Sequence, residues 1–307
     1  MARLQHVLAV LALAVAFVAC GCATPPARAD AVGGLHILLS NDDGVDAPGL
    51  RALHEVLRAR GHRVSVVAPS TDRSGSSVSA TTRGSLRVRE VAPGTRAVDG
   101  TPADCVRVAL AVLLDEAPDL VVSGVNFGQN IGAGTVMSGT VGAAITAAAF
   151  GVPAIAVSQA VDSQDLAATA RFFPDAAEFA AALIDALLEH EGRGLMPRFT
   201  VLNVNHPPRH RSEVAGVKLT RQGRSTLFEL RYEPGEDGEI RVSFAPSSSL
   251  EPVADADTAA LGAGYVTITP LDGSWTASDE VLPGLRPVAE ALESLQRGPP
   301  APAGAGR

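Results

Sequence analysis

Two adjacent carboxylates, Asp42 and Asp43, follow a short apolar run at His36–Ser40 and precede Gly44. Neighbouring carboxylates repel each other, and a bound cation relieves that repulsion. Hard divalent ions such as Mg²⁺, Mn²⁺ and Ca²⁺ take oxygen ligands from carboxylates, amides and hydroxyls. We therefore interpret the pair as half of a metal site. The simpler alternative is an ordinary turn in which Asp43 caps the following helix.

Two further oxygen-bearing side chains follow the next apolar runs. Ser74 lies in the loop after Arg63–Ala68, and Asn126 lies in the loop after Asp119–Ser123. In parallel sheets, ligands bind beyond the carboxyl ends of the strands. Loops after successive strands should therefore meet at one edge. The predicted metal ligands are Asp42, Asp43, Ser74 and Asn126, and the first two are also the predicted catalytic residues.

A phosphate-binding position is predicted where an Ala-rich helix begins at Ser138-Gly139-Thr140. Free backbone N–H groups at a helix N-terminus attract anions, and two hydroxyls flank them here. The segment contains no lysine, so it is not a Walker-type phosphate loop. A tight turn with an N-cap is the alternative interpretation.

Other hydrolytic chemistries fit the sequence poorly. Neither Ser123 nor Ser138 lies in a G-x-S-x-G elbow, and no histidine is a clear triad partner. A phosphoaspartyl enzyme would usually carry Asp-x-Asp after its first strand, whereas here the carboxylates are adjacent. Cys105 lies beside Val106 and is expected to be a small buried hydrophobe rather than a nucleophile.

These residues require a framework of alternating strands and helices. Pro, Gly or polar turns bound each short apolar run, which indicates an α/β fold with a mostly parallel sheet flanked by helices. A β-hairpin extension is expected near the C-terminus, as a dimerisation arm or a lid. Beyond the runs already named, the expected strands are Ala154–Ser158, Phe199–Asn205 and Gly264–Thr269, with hairpins over Gly216–Phe244. One helix is expected to begin near Pro48. The other expected helices cover Pro102–Leu114, Thr140–Phe150, Pro174–His190 and Val281–Gln296.

The composition limits both the core and the partners. Of 307 residues, 46% are hydrophobic but only 4% are aromatic, so Ala, Val, Leu and Ile must build the core. The formal net charge of −8 provides no basic surface for a nucleic-acid polymer. A small anionic substrate held by local groups is compatible with this charge.

The N-terminal residues 1–22 have the pattern of an export signal, with Arg3, an apolar run and then small residues. Lipid attachment at Cys20 or Cys22 would anchor a periplasmic protein to the membrane, whereas ordinary cleavage near Ala27 or Ala29 would release a periplasmic or secreted one. Residues 23–34 are interpreted as a linker, 35–297 as the functional domain and 298–307 as a disordered tail.

Several segments together resemble the SurE (stationary-phase survival protein) family of nucleotidases. The resemblance runs in order and spacing over about residues 35–271. It is carried by ILLSNDDGVDAPGL, APSTDRSGSS, DGTPADCV, VVSGVNFGQNIG, SGTVGAA, GVPAIAVS and GYVTITPL.

The resemblance implies a Rossmann-like fold, one divalent ion, Mg²⁺ or Mn²⁺, and hydrolysis of nucleoside 5′- or 3′-monophosphates by a metal-activated water. The family's metal ligands correspond to the four residues named above, and its phosphate-binding positions correspond to Asn130, Ser138, Gly139 and Thr140. Exchange of C-terminal hairpins in the family implies a homodimer or homotetramer, with residues 223–244 as the exchanged region.

The sequence departs from the family at three points. Met137 replaces an aromatic residue or His, and Thr146 replaces Glu. The export signal is the third departure, because the best-known members are cytoplasmic. A competing hypothesis is a non-catalytic lipoprotein that binds a phosphorylated ligand at the same loops.

Overall fold

Strands alternate with helices through the first two thirds of the fold. The computed structural model describes residues 34–274, 283 and 285–287, and these lie in a unit that begins at Gly34. The strands are β1 (His36–Ser40), β2 (Arg63–Pro69), β3 (Val88–Ala92), β4 (Thr95–Val98), β5 (Leu120–Phe127), β6 (Ala154–Gln159), β7 (Val201–His206), β8 (Val217–Leu219), β9 (Phe228–Pro234), β10 (Ile240–Pro246) and β11 (Val266–Leu271). The α-helices are α1 (Pro48–Ala59), α2 (Pro102–Val108), α3 (Gly139–Ala149), α4 (Phe173–Glu191) and α5 (Asp257–Gly262).

The main sheet is mostly parallel, as predicted. Its strand order is β3-β4-β2-β1-β5-β6-β7-β11-β8. Along this order, the strands β4, β2, β1, β5, β6 and β7 run parallel to one another. On either side of this group, β3 is antiparallel to β4, and β11 is antiparallel to β7. Strands β9 and β10 form a separate antiparallel hairpin, which confirms the expected hairpin extension. This order places β1 and β5 side by side, so the loops that follow them are neighbours.

Alternate residues of β1 face two different core layers. Ile37 and Leu39 pack in the layer that contains α1 and α4, and Leu38 packs in the layer that contains α2 and α3. All three are fully buried. Burial of each such side chain contributes roughly 1.5–3 kcal/mol to folding. The core consists mainly of aliphatic side chains, as the composition predicts, and it holds β1 rigidly behind the aspartates.

The structure differs from the expected elements in four places. Only β9 and β10 of the range Gly216–Phe244 form a hairpin, because β8 pairs in parallel with β11 in the main sheet. The hairpin of β3 and β4 was not predicted, because most residues of β3 are exposed and form no apolar run. The helix expected over Pro102–Leu114 ends as an α-helix at Val108 and continues as a π-helix over Ala109–Leu113. The short helix α5 was also missed.

Several sequence predictions lie outside the described residues. These are the export signal, the linker up to residue 33, the tail at 298–307 and all but four residues of the helix expected over 281–296. The 35–297 domain boundaries stay a prediction. Within the described part of the chain, no helix is long and apolar enough to cross a membrane.

Candidate active site

Asp42 lies directly after β1 and meets the N-terminus of α3. Its side chain is only 3% exposed, and it accepts a hydrogen bond from the Thr140 hydroxyl. Gly139 approaches so closely that an added Cβ would lie 2.8 Å from Asp42 Cβ and 2.9 Å from Asp42 Oδ2. Only glycine fits between this helix and the carboxylate. The structure thus brings Asp42, Gly139 and Thr140 together, as the sequence predicted.

Asp43 is held by the last residue of β5. Its Oδ2 accepts a hydrogen bond from the Phe127 backbone N–H at 3.1 Å. It does not cap the following helix: the N-cap of α1 is Ala47, which makes no side-chain cap bond. The helix-capping alternative for Asp43 is therefore wrong, and the side chain is available to the site.

Both aspartates are hard to ionise in the absence of a cation. Burial is the largest cause that raises the pKa of Asp42, and the charge of Asp72 adds to it. Burial and then the charge of Asp42 raise the pKa of Asp43 to about 7. Hydrogen bonds from Thr140 and Phe127 oppose these shifts only in part. Two carboxylates held together against such repulsion create a strong attraction for a positive ion.

The loop that carries Ser74 lies against the first aspartate through its backbone. The Arg73 N–H donates to the Asp42 carbonyl oxygen at 2.7 Å. Ser74 itself is exposed, and its N–H donates to Asp72 Oδ1 at 2.7 Å. Asp72, which sequence reasoning did not select, therefore both shapes this loop and acts on the aspartate pair.

Asn126 lies near the end of β5 and is almost fully buried, at 8% exposure. Its Nδ2 donates to the Gly128 carbonyl oxygen at 2.6 Å, which fixes the orientation of the amide. Phe127, the residue that bonds to Asp43, follows it directly in the chain. Neither Asn126 nor Ser74 forms a hydrogen bond to Asp42 or Asp43 in the described part of the chain.

The donor set fits a hard divalent cation. It offers two carboxylates, one hydroxyl and one amide, which are oxygen ligands of the kind that Mg²⁺ and Mn²⁺ prefer. The described residues contain no group of three or more His, Cys, Asp or Glu that could hold a metal ion. Ser76 Oγ is buried without a hydrogen-bond partner, and an added Cβ on Gly139 would lie 2.7 Å from it. That atom is a further unused oxygen beside Asp42.

Ser138 caps α3 and leaves the helix N-terminus facing the aspartates. Its hydroxyl accepts a hydrogen bond from the Val141 N–H at 3.1 Å. The N-cap interpretation is thus correct, and the Thr140 N–H at the same helix start interacts with the Asp42 carboxylate. The helix spans 11 residues, and its N-terminal partial positive charge favours an anion next to Asp42.

Asn130 is held by polar residues at the ends of β6 and β7 that sequence reasoning missed. Its N–H donates to Asn205 Oδ1 at 2.7 Å, and its Nδ2 donates to Ser158 Oγ at 2.8 Å. Its carbonyl oxygen accepts from Asn203 Nδ2 at 2.7 Å and from Asn205 Nδ2 at 3.1 Å. The available signal was the alternation Asn203-Val-Asn205 in an otherwise apolar strand. Both asparagines are fully buried and require partners of this kind.

Comparison with known proteins identifies the family. The sequence matches the family described as "Survival protein SurE" over residues 37–229, which is more than half of the chain. The chain belongs to the SurE family. This confirms the resemblance inferred from the motifs.

Curated SurE relatives match most of the chain. "5′-nucleotidase SurE 1" of Burkholderia lata is 40% identical over 257 residues, which cover 81% of this chain and 95% of that protein. "5′-nucleotidase SurE" of Rhodopseudomonas palustris (strain BisB5) is 40% identical, covering 77% of this chain and 93% of the relative. A crystal structure of the SurE protein from Aquifex aeolicus aligns with a TM-score of 0.69 and 33% identity, over 84% of this chain and all of that one. The expected Rossmann-like SurE fold is therefore confirmed.

The family assignment corrects the expected localisation. The prediction of an exported, periplasmic or membrane-anchored protein is wrong, because the matching SurE relatives are enzymes of the cytoplasmic type. The family match begins at residue 37, so residues 1–22, on which the prediction rested, take no part in it. The predicted lipid attachment at Cys20 or Cys22 depended on export and loses its basis. By contrast, Cys105 is buried as expected.

Proposed function

We propose that this SurE chain is a divalent-metal-dependent 5′-nucleotidase that hydrolyses nucleoside monophosphates to nucleoside and inorganic phosphate. The observation that carries the proposal is the pair of buried Asp42 and half-buried Asp43 at the carboxyl end of β1, with the N-terminus of α3 placed against Asp42. The names of the curated relatives support the same activity. Mg²⁺ or Mn²⁺ is the proposed cofactor, as one ion per chain.

The proposed ligands are Asp42, Asp43, Ser74 and Asn126. A divalent ion at this position supplies Lewis-acid stabilisation of phosphoryl oxygens and lowers the pKa of a bound water. The Thr140 hydroxyl donates a hydrogen bond to Asp42, and the Phe127 N–H donates one to Asp43. Because neither carboxylate can rotate freely, the ligand geometry is set before the substrate arrives, which favours catalysis.

The proposed phosphate contacts come from Asn130, Ser138, Gly139 and Thr140. The α3 N-terminus presents N–H groups and a partial positive charge to the non-bridging oxygens, where negative charge is held through the transition state. Asp42 is the proposed residue that orients the attacking water.

The direct test is release of inorganic phosphate from a panel of nucleoside 5′- and 3′-monophosphates, with Mg²⁺, with Mn²⁺ and with a chelator. We expect metal-dependent release that is lost in Asp42→Ala and Asp43→Ala. Asp46→Ala is the matched control, because Asp46 lies in the same loop but is exposed. Binding of nucleotides without release would instead identify a phosphate-binding protein, and undiminished activity in Asp43→Ala with excess metal would place the site elsewhere.

We also propose a homodimer or homotetramer assembled through the β9–β10 hairpin. This hairpin lies outside the main sheet and exposes Tyr232, Ile240, Val242 and Phe244. Large exposed apolar side chains on one hairpin favour a protein partner. Light scattering coupled to gel filtration should give at least twice the mass of one chain, with Phe244→Asp shifting the mass downward. A monomeric wild-type protein would contradict this proposal.

A further inference from the structure

A buried carboxylate far along the chain, Asp257, contacts the loop that carries Asn130. Asp257 is the first residue of α5 and is fully buried. Both of its oxygens accept from the Gly132 N–H, Oδ1 at 3.1 Å and Oδ2 at 3.2 Å. Oδ1 also accepts from the Gly223 N–H at 2.9 Å and from the Thr258 N–H at 2.8 Å. One side chain thus joins three separate backbone segments.

Other residues of the C-terminal region also form hydrogen bonds and packing contacts with this loop. Gln222 Nε2 donates to the Gly132 carbonyl oxygen at 3.0 Å, and the Ala133 N–H donates to the Ser225 carbonyl oxygen at 3.0 Å. Ile131 packs in a small buried cluster with Leu261 of α5. The loop is therefore held by the backbone and by side chains of residues more than 80 positions away.

Gly132 marks how closely the two segments approach. Its φ is +55°, and an added Cβ would lie 2.0 Å from the Ser225 carbonyl oxygen and 2.7 Å from Thr258 Cγ2. No other residue type fits without moving the loop. The loop and the C-terminal segment are therefore tightly packed against each other at Gly132.

Gly132, the point of contact, lies between Asn130 and Ser138, two of the four proposed phosphate-binding residues. Asn130 is two residues before Gly132, and the 3-10 helix Gly132–Met137 leads directly to Ser138. We propose that Asp257 is a positioning residue for the nucleotidase reaction: it fixes Gly132 so that Asn130 and Ser138 reach the same phosphoryl group. This inference rests on the proposed function only in naming phosphate as the ligand. Asp257 itself is not placed in contact with substrate.

The test uses Asp257→Asn in the full chain, with inorganic phosphate as the probe. The variant keeps the side-chain shape but replaces one acceptor oxygen with an NH₂ group; in the Oδ2 position this group faces the Gly132 N–H, while the amide oxygen still accepts in the Oδ1 position. Calorimetric titration in the presence of Mn²⁺ should show phosphate binding weakened by about tenfold, the effect of about one lost buried hydrogen bond. The dissociation constant for Mn²⁺ should stay unchanged, because Asp257 contacts none of the proposed metal ligands. A general loosening of the fold would weaken both.

Two further variants keep the test decisive. Asp119→Asn makes the same chemical change at a carboxylate that accepts from the His36 N–H at 2.7 Å, at the opposite end of β1, and should leave phosphate binding unchanged. Gly132→Ala should reproduce the loss of phosphate binding by moving the same loop, even if Asp257→Asn folds poorly. Wild-type phosphate affinity in Gly132→Ala, or in a folded Asp257→Asn, would overturn the inference.

The outcomes separate this inference from the proposed function. Suppose that the wild-type protein binds phosphate and hydrolyses nucleotides, and that the loop variants, Asp257→Asn and Gly132→Ala, both bind phosphate normally. Only the role of Asp257 is then wrong. If the wild type binds phosphate without hydrolysis, and the loop variants bind it weakly, the positioning role stands and the proposed reaction fails. A wild type that binds no phosphate in the presence of Mn²⁺ overturns both.

Discussion

Replacement of Gly139 by alanine tests whether the close contact between α3 and Asp42 is needed for activity. The added Cβ would lie 2.7 Å from Ser76 Oγ, 2.8 Å from Asp42 Cβ and 2.9 Å from Asp42 Oδ2. The serine hydroxyl can rotate away, but Asp42 is held by Thr140. The helix start or the carboxylate must therefore shift by several tenths of an ångström. Overpacking of this kind costs about 1–3 kcal/mol of folding stability.

The expected effect on catalysis is similar in free energy to the effect on stability. A displacement on the order of 1 Å at a reacting centre can lower the rate by about 100-fold, so we expect kcat/KM to fall by about 10- to 100-fold in Gly139→Ala. Gly134→Ala is the matched control: it lies on the same approach to α3, and an added Cβ there meets nothing within 4 Å. Steady-state phosphate release and urea unfolding should be measured for both. Near-wild-type kcat/KM in Gly139→Ala would refute the reasoning.

Three further predictions follow from single contacts. Burial, and then the charge of Asp42, raise the pKa of Asp43 to about 7. The protonated carboxyl group therefore adds to the free energy of unfolding at acidic pH, and this contribution is lost as the pH rises from about 4 to about 7. Because Mn²⁺ competes with that proton, Mn²⁺ should raise the melting temperature more at pH 8 than at pH 6, and equal shifts would contradict the assignment. Asn205→Leu removes the acceptor of the Asn130 N–H and should lower kcat/KM by about tenfold in the phosphate-release assay, whereas an unchanged value would mean that this anchor is dispensable. Asp104→Ala removes the capping box of α2 and should lower the free energy of unfolding by about 2 kcal/mol in urea; a change within error would show that the cap does not limit stability.

The sequence predicted the central part of the fold well because its signals are local. Short apolar runs ended by Gly, Pro or polar residues marked β1, β2, β5, β6 and β7, and the structure confirms them. Strand β3 has mostly exposed residues and no apolar run, so it carried no such signal. The short helix α5 is stabilised by long-range contacts, such as that of Leu261 with Ile131, which a local pattern does not report.

The site residues also divide into those with a local sequence signal, which were predicted, and those defined by long-range contacts, which were missed. Asp42 and Asp43 directly follow the predicted strand β1, and the helix start at Ser138 lies in the connection between β5 and β6, so the topology places them at one edge. Asp257 and Asn205 were missed because they act through contacts with residues 125 and 75 positions away. No spacing rule connects such pairs. Their buried polar side chains became informative only when their hydrogen-bond partners were known.

The central claim is that Asp42 and Asp43 hold one divalent ion that hydrolysis requires. The most direct measurement is titration of Mn²⁺ into wild-type protein and Asp43→Asn, with phosphate release from a nucleoside 5′-monophosphate followed at each metal concentration. We predict one bound ion per wild-type chain, activity that rises in parallel with occupancy, and loss of both in the variant. Full activity of metal-free wild-type protein, or unchanged Mn²⁺ binding by Asp43→Asn, would contradict this account.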